Sequence, residues 1–268
     1  MPTMPIEFAK VEAHGNDFLL VAEHDVSGAP EALAKTICDR LAGVGADGLI
    51  LHREDDEGFV MTLWNSDGSR AEISGNGLRG LAAYLVYSER TVSPIRIATG
   101  AGPRSLELIE CTGSRFTFRA DMGAPREVTQ SVALPLGEAG DLEVATLSMG
   151  NPHCVWFTSD LEQLSRVGPM VEKHPHFPEG TNVELVRVTG PHELEMRIWE
   201  RGAGITASSG TGSAASAVAA IACGLAETPV RVHCPGGTLE VEWTPGASVQ
   251  LTGVARVVAE GRYYWSTR

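Results

Sequence analysis

The chain has 268 residues, of which 43% are apolar, and a formal net charge of −13 at pH 7. A chain of this length can bury one large core or two medium ones, so we expect a folded protein. The negative charge excludes binding along a nucleic-acid backbone, because such proteins need clustered lysine and arginine and none cluster here. A small polar substrate fits this composition better.

Residues 1–15 include Glu7, Lys10 and Glu12 and hold no apolar run of signal-peptide length, and no later segment approaches a membrane span. We therefore expect a cytoplasmic protein with no membrane partner. The five cysteines are scattered and form no C-x-x-C pair. Reduced, mostly buried thiols are the expectation, rather than a metal site or a redox motif.

The first half of the chain predicts strands, then a helix, then strands and a second helix. A strand pattern at residues 6–11 leads through a polar turn at 14–17 to an apolar run at 18–22. Apolar residues from Leu33 to Leu41 recur at helical spacing, and Gly43 and Gly45 predict the end of that helix. Strand patterns follow at 49–51 and 59–64, a helix opens at 74–77 and runs through 86, and short strands continue to 122.

The second half repeats this order. Strands run to residue 149, a polar turn follows at 150–153, and then come an apolar run at 155–157 and a helix pattern at 160–173. Strand patterns at 182–188 and 193–199 precede a helix that opens at 209–212, and strands run from 230 onward. The helix at 213–222 is apolar nearly all round, as expected of a helix buried on every side. The repeat predicts an α+β fold of two pseudo-symmetric domains facing each other across a cleft, each a curved sheet around a central helix.

Two motifs carry the chemical signal, SGNG at residues 74–77 and SGTG at 209–212. Each places a small polar side chain and two glycines directly before a helix, where free backbone N–H groups and the positive helix end can hold a carboxylate. Either motif alone fits an ordinary serine N-cap with a glycine turn equally well. Two motifs in matching positions of repeated halves favour a ligand site.

The motifs resemble those of the diaminopimelate epimerase family in order and spacing along nearly the whole chain. The matching segments are HGNDF at 14–18, NSDGS at 65–69, GNGLR at 75–79, GNPH at 150–153, TNVE at 181–184, ERGAG at 200–204, GTG at 210–212 and PGG at 235–237. The resemblance implies racemisation at an α-carbon by two opposed acid/base groups, with no pyridoxal phosphate, no other cofactor and no metal. One group would remove the α-proton while the other delivers a proton to the opposite face.

The resemblance also bears on domains and assembly. We expect an N-terminal domain of residues 1–117, completed by about 261–268, and a C-terminal domain of residues 118–260, with the active site in the cleft between them. The return of the last strand to the first domain is implied by the resemblance and not by its own pattern. A homodimer is implied in the same way.

The resemblance assigns substrate contacts position by position. Amide and glycine positions that would hold the amino-acid head group are Asn16, Asn65, Gly75, Asn76, Asn151, Asn182, Gly210 and Thr211. Glu200 and Arg201 would meet an ammonium and a carboxylate, the second through the bidentate fork of arginine. Without the family context, each asparagine is more often a turn residue and Glu200 with Arg201 a surface ion pair. His153 either orients a neighbour or is a structural loop histidine, and we favour the structural role.

The sequence departs from the family at the two acid/base positions, which are cysteines in the family and are Ser74 and Ser209 here. A thiol has a pKa of about 8.5 and an alcohol lies nearer the ~15.7 of water. At about 1.36 kcal/mol per unit, forming the alkoxide costs on the order of 8–10 kcal/mol more, which is around a millionfold in rate if nothing compensates.

Three interpretations stay open on the sequence alone. The first is an amino-acid epimerase, most simply one that interconverts LL- and meso-diaminopimelate for lysine and peptidoglycan precursors, in which the serines are natural and assisted. The second is an enzyme trapped by deliberate replacement of both cysteines. The third is a binding protein or diverged relative, one form of which would use a carboxylate base, with Asp47, Glu72 and Glu200 as candidates.

Overall fold

The computed structural model describes residues 5–71, 73–137 and 140–265. Its internal contacts divide the chain into two compact units, Met1–Ala120 with Gly253–Arg268 and Asp121–Thr252. We call these the first unit and the second unit. Glu72, one of the carboxylates considered as a base, lies outside the described residues.

The first unit contains two α-helices and the first eight strands among its described residues. They are β1 Ile6–Ala13, β2 Asn16–Ala22, α1 Pro30–Ile37, β3 Gly48–Asp55, β4 Gly58–Asn65, β5 Arg70–Ala71, α2 Gly75–Tyr87, β6 Ile95–Thr99, β7 Gly102–Thr112 and β8 Arg115–Asp121. The last strand of the chain, β17 Gln250–Tyr263, pairs with β1 and with β8. Eight strands therefore close into a ring, in the order β1, β2, β3, β4, β6, β7, β8 and β17.

The described residues of the second unit form a row of strands and two more helices. They are β9 Arg126–Pro135, β10 Asp141–Ser148, β11 Pro152–Phe157, α3 Leu164–Glu172, β12 Asn182–Gly190, β13 Glu193–Glu200, β14 Gly204–Thr206, α4 Gly210–Ala222, β15 Val230–Cys234 and β16 Gly237–Glu242. The pairing order is β9, β10, β11, β12, β13, β15, β16 and then the start of β17.

The two units share one topology. In the first unit β2 pairs in parallel with β3 across α1, and β4 pairs in parallel with β6 across α2. In the second unit β11 pairs in parallel with β12 across α3, and β13 with β15 across α4. Parallel neighbours need a crossover, and a helix supplies each one. The predicted α+β fold with a repeated plan is confirmed, and the repeat is visible strand by strand.

One helix lies at the centre of each unit. Helix α2 packs on β1 and β2, and residues 76–83 are buried. Helix α4 packs on strands β9 to β13, β15 and β16, and residues 212–220 are all buried. The serine-glycine motifs therefore begin the two most enclosed helices of the described chain.

Strand β17 differs from the sequence-based expectation. Its start pairs with β16, as Gln250 to Thr252 lie opposite Glu242 to Glu240, and its remainder pairs with β1. The chain thus enters the first unit at Gly253, inside β17, whereas the resemblance implied a return at about residue 261. The other boundary lies at Ala120, beside the predicted residue 117.

The first predicted helix is also shorter than its pattern. Helix α1 ends at Ile37, and Leu41, which the spacing assigned to its apolar face, is 99% exposed. The carboxylate of Asp39 accepts hydrogen bonds from the backbone N–H groups of Leu41 and Ala42, both at 2.7 Å. An aspartate that bonds its own following backbone competes with the helix and ends it.

Candidate active site

Ser74 is the N-cap of α2, at the start of the candidate site residues of the first unit. Its backbone is extended, with φ −129° and ψ 123°, and its Oγ accepts a hydrogen bond from the Gly77 backbone N–H at 3.1 Å. Gly77 is tightly enclosed, because a Cβ there would lie 3.0 Å from Ile50 Cδ1. The predicted geometry of a serine cap with a glycine-lined helix start is present in the first unit.

A chain of polar side chains leads from α2 to the turn before β2. Asn76 Nδ2 donates to Asn16 Oδ1 at 2.6 Å, and Asn16 Nδ2 donates to Asp47 Oδ2 at 3.1 Å. Arg79, one turn into α2, donates to Asn76 Oδ1. The structure thus brings together Asn16 and Asn76, two of the predicted substrate amides, and adds Arg79, which sequence reasoning did not single out.

Asp47 belongs to an ion-pair cluster. Arg40 Nη2 lies 2.7 Å from both Asp17 Oδ1 and Asp47 Oδ1, and Lys10 Nζ lies 2.8 Å from Asp17 Oδ2. Burial alone would raise the pKa of Asp17, but hydrogen bonds from Arg40 and Lys10 outweigh it and lower the pKa. Asp47 has both carboxylate oxygens occupied, by Arg40 and by Asn16. This environment suits an anchored carboxylate better than a proton-transferring base.

Asn65 serves the turn that follows β4. Its Nδ2 donates to Ser69 Oγ at 3.0 Å, and its backbone N–H donates to Ser69 O at 2.8 Å. The side chain of Asp67 accepts from Ser69 in the same turn. Asn65 is exposed, and its described side-chain bond is internal to the turn.

Ser209 occupies the matching position in the second unit as the N-cap of α4. Its φ is −142° and its ψ 130°, and its Oγ accepts from the Gly212 backbone N–H at 3.2 Å. Thr211 Oγ1 lies 3.4 Å from Ser209 Oγ. At Gly212 a Cβ would meet Ile198 Cδ1 at 2.5 Å and Glu184 Oε1 at 3.0 Å, so any larger residue would have to displace these two side chains.

Asn151 is held by a buried histidine and glutamate. His153 Nε2 lies 2.9 Å from Asn151 Oδ1, and His153 Nδ1 lies 2.6 Å from Glu184 Oε1. Both His153 and Glu184 are 0% exposed, and Glu184 Oε2 has no hydrogen-bond partner in the described structure. Burial raises the pKa of Glu184, although His153 acts in the opposite direction. His153 therefore holds Asn151, and Glu184, which stood in the TNVE motif without an assigned role, holds His153 in turn.

Asn182 forms a separate group with the last residue of β13 and the residue that follows that strand. Asn182 Oδ1 accepts from the Arg201 backbone N–H at 3.0 Å and its Nδ2 donates to Pro152 O at 3.0 Å, so this amide joins two loops. The Arg201 guanidinium donates to Glu179 O at 3.1 Å. Glu200 Oε1 accepts from Thr206 Oγ1 at 2.5 Å, and burial raises the pKa of Glu200. Glu200 and Arg201 do not pair with each other, contrary to the surface ion pair considered for them.

These same residues lie in the part of the chain that is similar to a known protein family. The family model described as diaminopimelate epimerase matches residues 8–128 and 145–258, which include both serine-glycine motifs and the polar residues described above in each unit. The chain belongs to the diaminopimelate epimerase family. The family assignment made from the motifs is confirmed.

Curated relatives in the family are similar over nearly their whole length. The diaminopimelate epimerase of Desulfitobacterium hafniense is 42% identical, over 96% of this chain and 97% of the relative. That of Pelotomaculum thermopropionicum is 40% identical, over 98% of this chain and 100% of the relative. Among solved structures, a predicted epimerase from Pseudomonas aeruginosa superimposes with a TM-score of 0.74 at 17% identity, covering 97% of this chain and 100% of that one. This last likeness concerns the fold.

Two cysteines of the second unit, Cys154 and Cys234, have thiols whose pKa is raised by burial. Cys234 Sγ lies 3.7 Å from Ser213 Oγ on the first turn of α4, but burial raises its pKa to about 11. Cys154 is 0% exposed, and burial raises its pKa well above the ordinary value. A catalytic thiol needs a lowered pKa, so neither is a ready thiolate at neutral pH.

No group of three or more histidine, cysteine, aspartate or glutamate side chains among the described residues is arranged to hold a metal ion. None of the helices in the described part of the chain combines the length and the apolar character needed to cross a bilayer.

Proposed function

We propose that this protein is an amino-acid epimerase that interconverts LL- and meso-diaminopimelate by proton transfer at the α-carbon, without a cofactor. The observation that carries the proposal is the repeated half-site. Two units of one topology each begin their central helix with a serine N-cap and glycines, at Ser74 and at Ser209. Epimerisation needs one acid/base group for each face of the α-carbon, and a duplicated half-site supplies two.

The helix starts provide the electrostatic part of the mechanism. The first N–H groups of a helix have no partner within it and carry the positive end of the helix dipole. A carboxylate bound there gains charge when the α-proton leaves, because the carbanion is delocalised into an enediolate. Donors already aimed at that carboxylate stabilise the developing charge without reorganisation.

Ser74 and Ser209 stand at the proposed acid/base positions. Each Oγ already accepts a hydrogen bond from a helix N–H, at Gly77 and at Gly212, which favours a negative oxygen. These hydrogen bonds offset a small part of the difference in pKa between an alcohol and a thiol. We expect slow proton transfer in the Ser/Ser protein and an otherwise intact substrate site.

The test is proton NMR of the protein with LL-diaminopimelate in deuterated buffer, following loss of the α-proton signal. It compares the Ser/Ser protein with the Ser74→Cys, Ser209→Cys variant, and Ser88→Cys at the end of α2 is the matched control. We expect the double variant to exchange at least about a thousandfold faster, as the difference in pKa dictates, and the control to match the parent.

Other outcomes would identify a different function. Binding of diaminopimelate without exchange in either protein would indicate an amino-acid-binding relative. Exchange by the Ser/Ser protein that is lost in Glu200→Gln, and not gained with cysteine, would indicate a carboxylate base. Absence of both binding and exchange would reject diaminopimelate as the substrate.

The proposal extends to assembly and location. The resemblance to the family supports a cytoplasmic homodimer that acts in the formation of lysine and of a peptidoglycan precursor. Sedimentation analysis of the purified protein tests the dimer directly, and a single monomeric species at micromolar concentration would reject it.

A further inference from the structure

Arg79 is a fully buried arginine for which the proposed mechanism has so far no use. Its side chain is 0% exposed, and its Nε and Nη1 atoms have no hydrogen-bond partner in the described structure. Burial lowers its pKa to about 10, so the guanidinium is still charged at neutral pH. A buried cation without a carboxylate partner destabilises a fold. Its presence on the helix that begins at Ser74 therefore calls for an explanation.

The hydrogen bonds of Arg79 impose a direction on the neighbouring amides. A guanidinium can only donate, so Asn76 must turn its Oδ1 toward Arg79. Asn76 Nδ2 then faces Asn16 Oδ1 at 2.6 Å, and Asn16 Nδ2 faces Asp47 Oδ2 at 3.1 Å. Because one end of this chain only donates and the carboxylate end only accepts, each amide has a single favourable orientation.

The charged groups near this chain of hydrogen bonds, which runs from Arg79 through Asn76 and Asn16 to Asp47, do not neutralise Arg79. At its far end two carboxylates are matched by two cations in the ion-pair cluster of Lys10, Asp17, Arg40 and Asp47. His14, the other titratable neighbour, accepts a hydrogen bond at Nε2 from the Val254 backbone N–H at 3.0 Å. Burial and the charge of Arg79 lower the pKa of His14 to about 3, so it is neutral. Among these groups the charge of Arg79 is the one left unbalanced.

We propose that Arg79 is a positioning residue of the first half-site, which orients Asn76 and Asn16 and whose unpaired charge favours a carboxylate at the N-terminus of α2. The inference rests on the proposed function and deepens it, because it names the residue that orients the amides of the first unit and supplies positive charge behind the carboxylate. It also explains the missing partner: the substrate carboxylate is the anion that the buried cation lacks.

The experiment compares Arg79→Met, which keeps an unbranched apolar side chain without the charge, with Arg79→Lys, which keeps a cation and a donor. Exposed Arg96→Met is the matched control. Binding of LL-diaminopimelate is measured by calorimetry and thermal stability by the melting temperature. Side-chain amide signals of Asn16 and Asn76 are followed by NMR of the ¹⁵N-labelled protein without ligand.

We expect Arg79→Met to weaken binding by about ten- to a hundredfold, the range of a charge-assisted hydrogen bond, while its melting temperature stays level or rises. Arg79→Lys should recover most of the affinity, and Arg96→Met should change neither quantity. A purely structural arginine would behave differently, because its loss would lower affinity and melting temperature together without rescue by lysine. That result, or unchanged affinity in Arg79→Met, would overturn the inference.

Failure of the proposed function gives a different pattern. If the parent protein does not bind diaminopimelate, the substrate assignment is rejected and the amide signals decide the role of Arg79. Signals of Asn16 and Asn76 that shift in Arg79→Met and not in Arg79→Lys would support the positioning role. Signals that are identical in all three proteins would reject it.

Discussion

Serine at positions 74 and 209 has a structural advantage as well as a chemical drawback. Each Oγ caps its helix by accepting an N–H at 3.1 Å or 3.2 Å, and oxygen is a far better acceptor than sulfur. Serine is therefore among the preferred N-cap residues, and its replacement by a residue that cannot cap typically costs about 0.5–2 kcal/mol. At these two positions serine favours stability, whereas cysteine would favour proton transfer.

The double-cysteine variant, which we expect to transfer protons faster, should therefore be less stable than the parent. We expect Ser74→Cys, Ser209→Cys to lower the free energy of unfolding by about 1 kcal/mol per site, within the range for a lost N-cap. Urea denaturation followed by circular dichroism measures the change. The Ser74→Ala, Ser209→Ala variant should lose as much stability and show no proton exchange. A double-cysteine protein as stable as the parent would mean that the caps contribute nothing.

His52 predicts a pH dependence of stability. It is 4% exposed, its Nδ1 has no partner in the described structure, and its ring centroid lies 6.0 Å from that of Tyr84. Burial and then the charge of Arg90 lower its pKa from 6.5 to about 4. The unfolded chain thus binds the proton more tightly, so this stability is complete above pH 6.5 and is lost as the pH falls toward 4.

Between pH 7.5 and 4.5, we expect the free energy of unfolding to fall by up to about 2–3 kcal/mol less in His52→Phe than in the parent, at about 1.36 kcal/mol per pKa unit. Urea titrations at pH 7.5, 5.5 and 4.5 measure it, and His176→Gln, at an exposed histidine of the second unit, is the control. Equal losses of stability in the parent and in His52→Phe between pH 7.5 and 4.5 would contradict the assignment.

At the residue scale, local rules were sufficient for some positions and insufficient for others. The serine caps follow from the order of residues, because an N-cap bonds to a backbone three residues on. Arg79 and Glu184 are buried among residues that are distant in sequence. Their roles therefore could not be predicted from the residues next to them in the chain. Asn182 illustrates the same limit, since the family motif marked it as a substrate amide while its described bonds join Pro152 to Arg201.

At the scale of elements, Gly80 shows why α2 has a glycine in its interior. Alanine normally stabilises a helix interior by about 0.5–1 kcal/mol relative to glycine. Here a Cβ at residue 80 would lie 2.6 Å from Val11 Cγ2, inside van der Waals contact, because α2 packs directly on β1. The close approach of helix and strand outweighs helix propensity.

We expect Gly80→Ala to destabilise the protein by about 1–3 kcal/mol, the usual range for overpacking. Adding Val11→Ala to Gly80→Ala should recover part of that loss, although Val11→Ala alone is destabilising. The coupling is measured as a double-mutant cycle by urea denaturation. Additive losses would show that the two side chains do not compete for the same space.

The helices and strands were predicted where the apolar pattern and the stop signals agree. Helix α4 follows its pattern because it is enclosed on every side, so hydrophobicity alone marks it. Helix α1 departs from its pattern because Asp39 ends it before Leu41, and a side chain that bonds two backbone groups outweighs an apolar spacing. The two-residue strand β5 has no sequence signal, since it exists only through its pairing with β4.

At the scale of the whole molecule, the two units differ in how they depend on the chain. The second unit is one continuous segment, Asp121–Thr252, whereas the first also needs Gly253–Arg268. In the first unit β1 has β17 as a neighbour, with Ile6 opposite Tyr263 and Glu12 opposite Arg256. Without β17 the ring of eight strands is open and two of its strands become edges.

We therefore expect residues 121–252 to fold when produced alone and residues 1–120 to remain unfolded or to aggregate. Dispersion of amide signals in ¹H–¹⁵N NMR spectra measures the folding of each. Addition of a peptide of residues 253–265 to residues 1–120 should restore dispersion, and a peptide of the same composition in scrambled order is the control. A dispersed spectrum from residues 1–120 alone would contradict the requirement for β17.

Strand β17 has a consequence for biosynthesis. During translation β1 is made long before β17, the strand that closes its edge. The first unit would therefore stay open while the whole of the second unit is being synthesised, and the unpaired edge of β1 is where a chaperone would be needed.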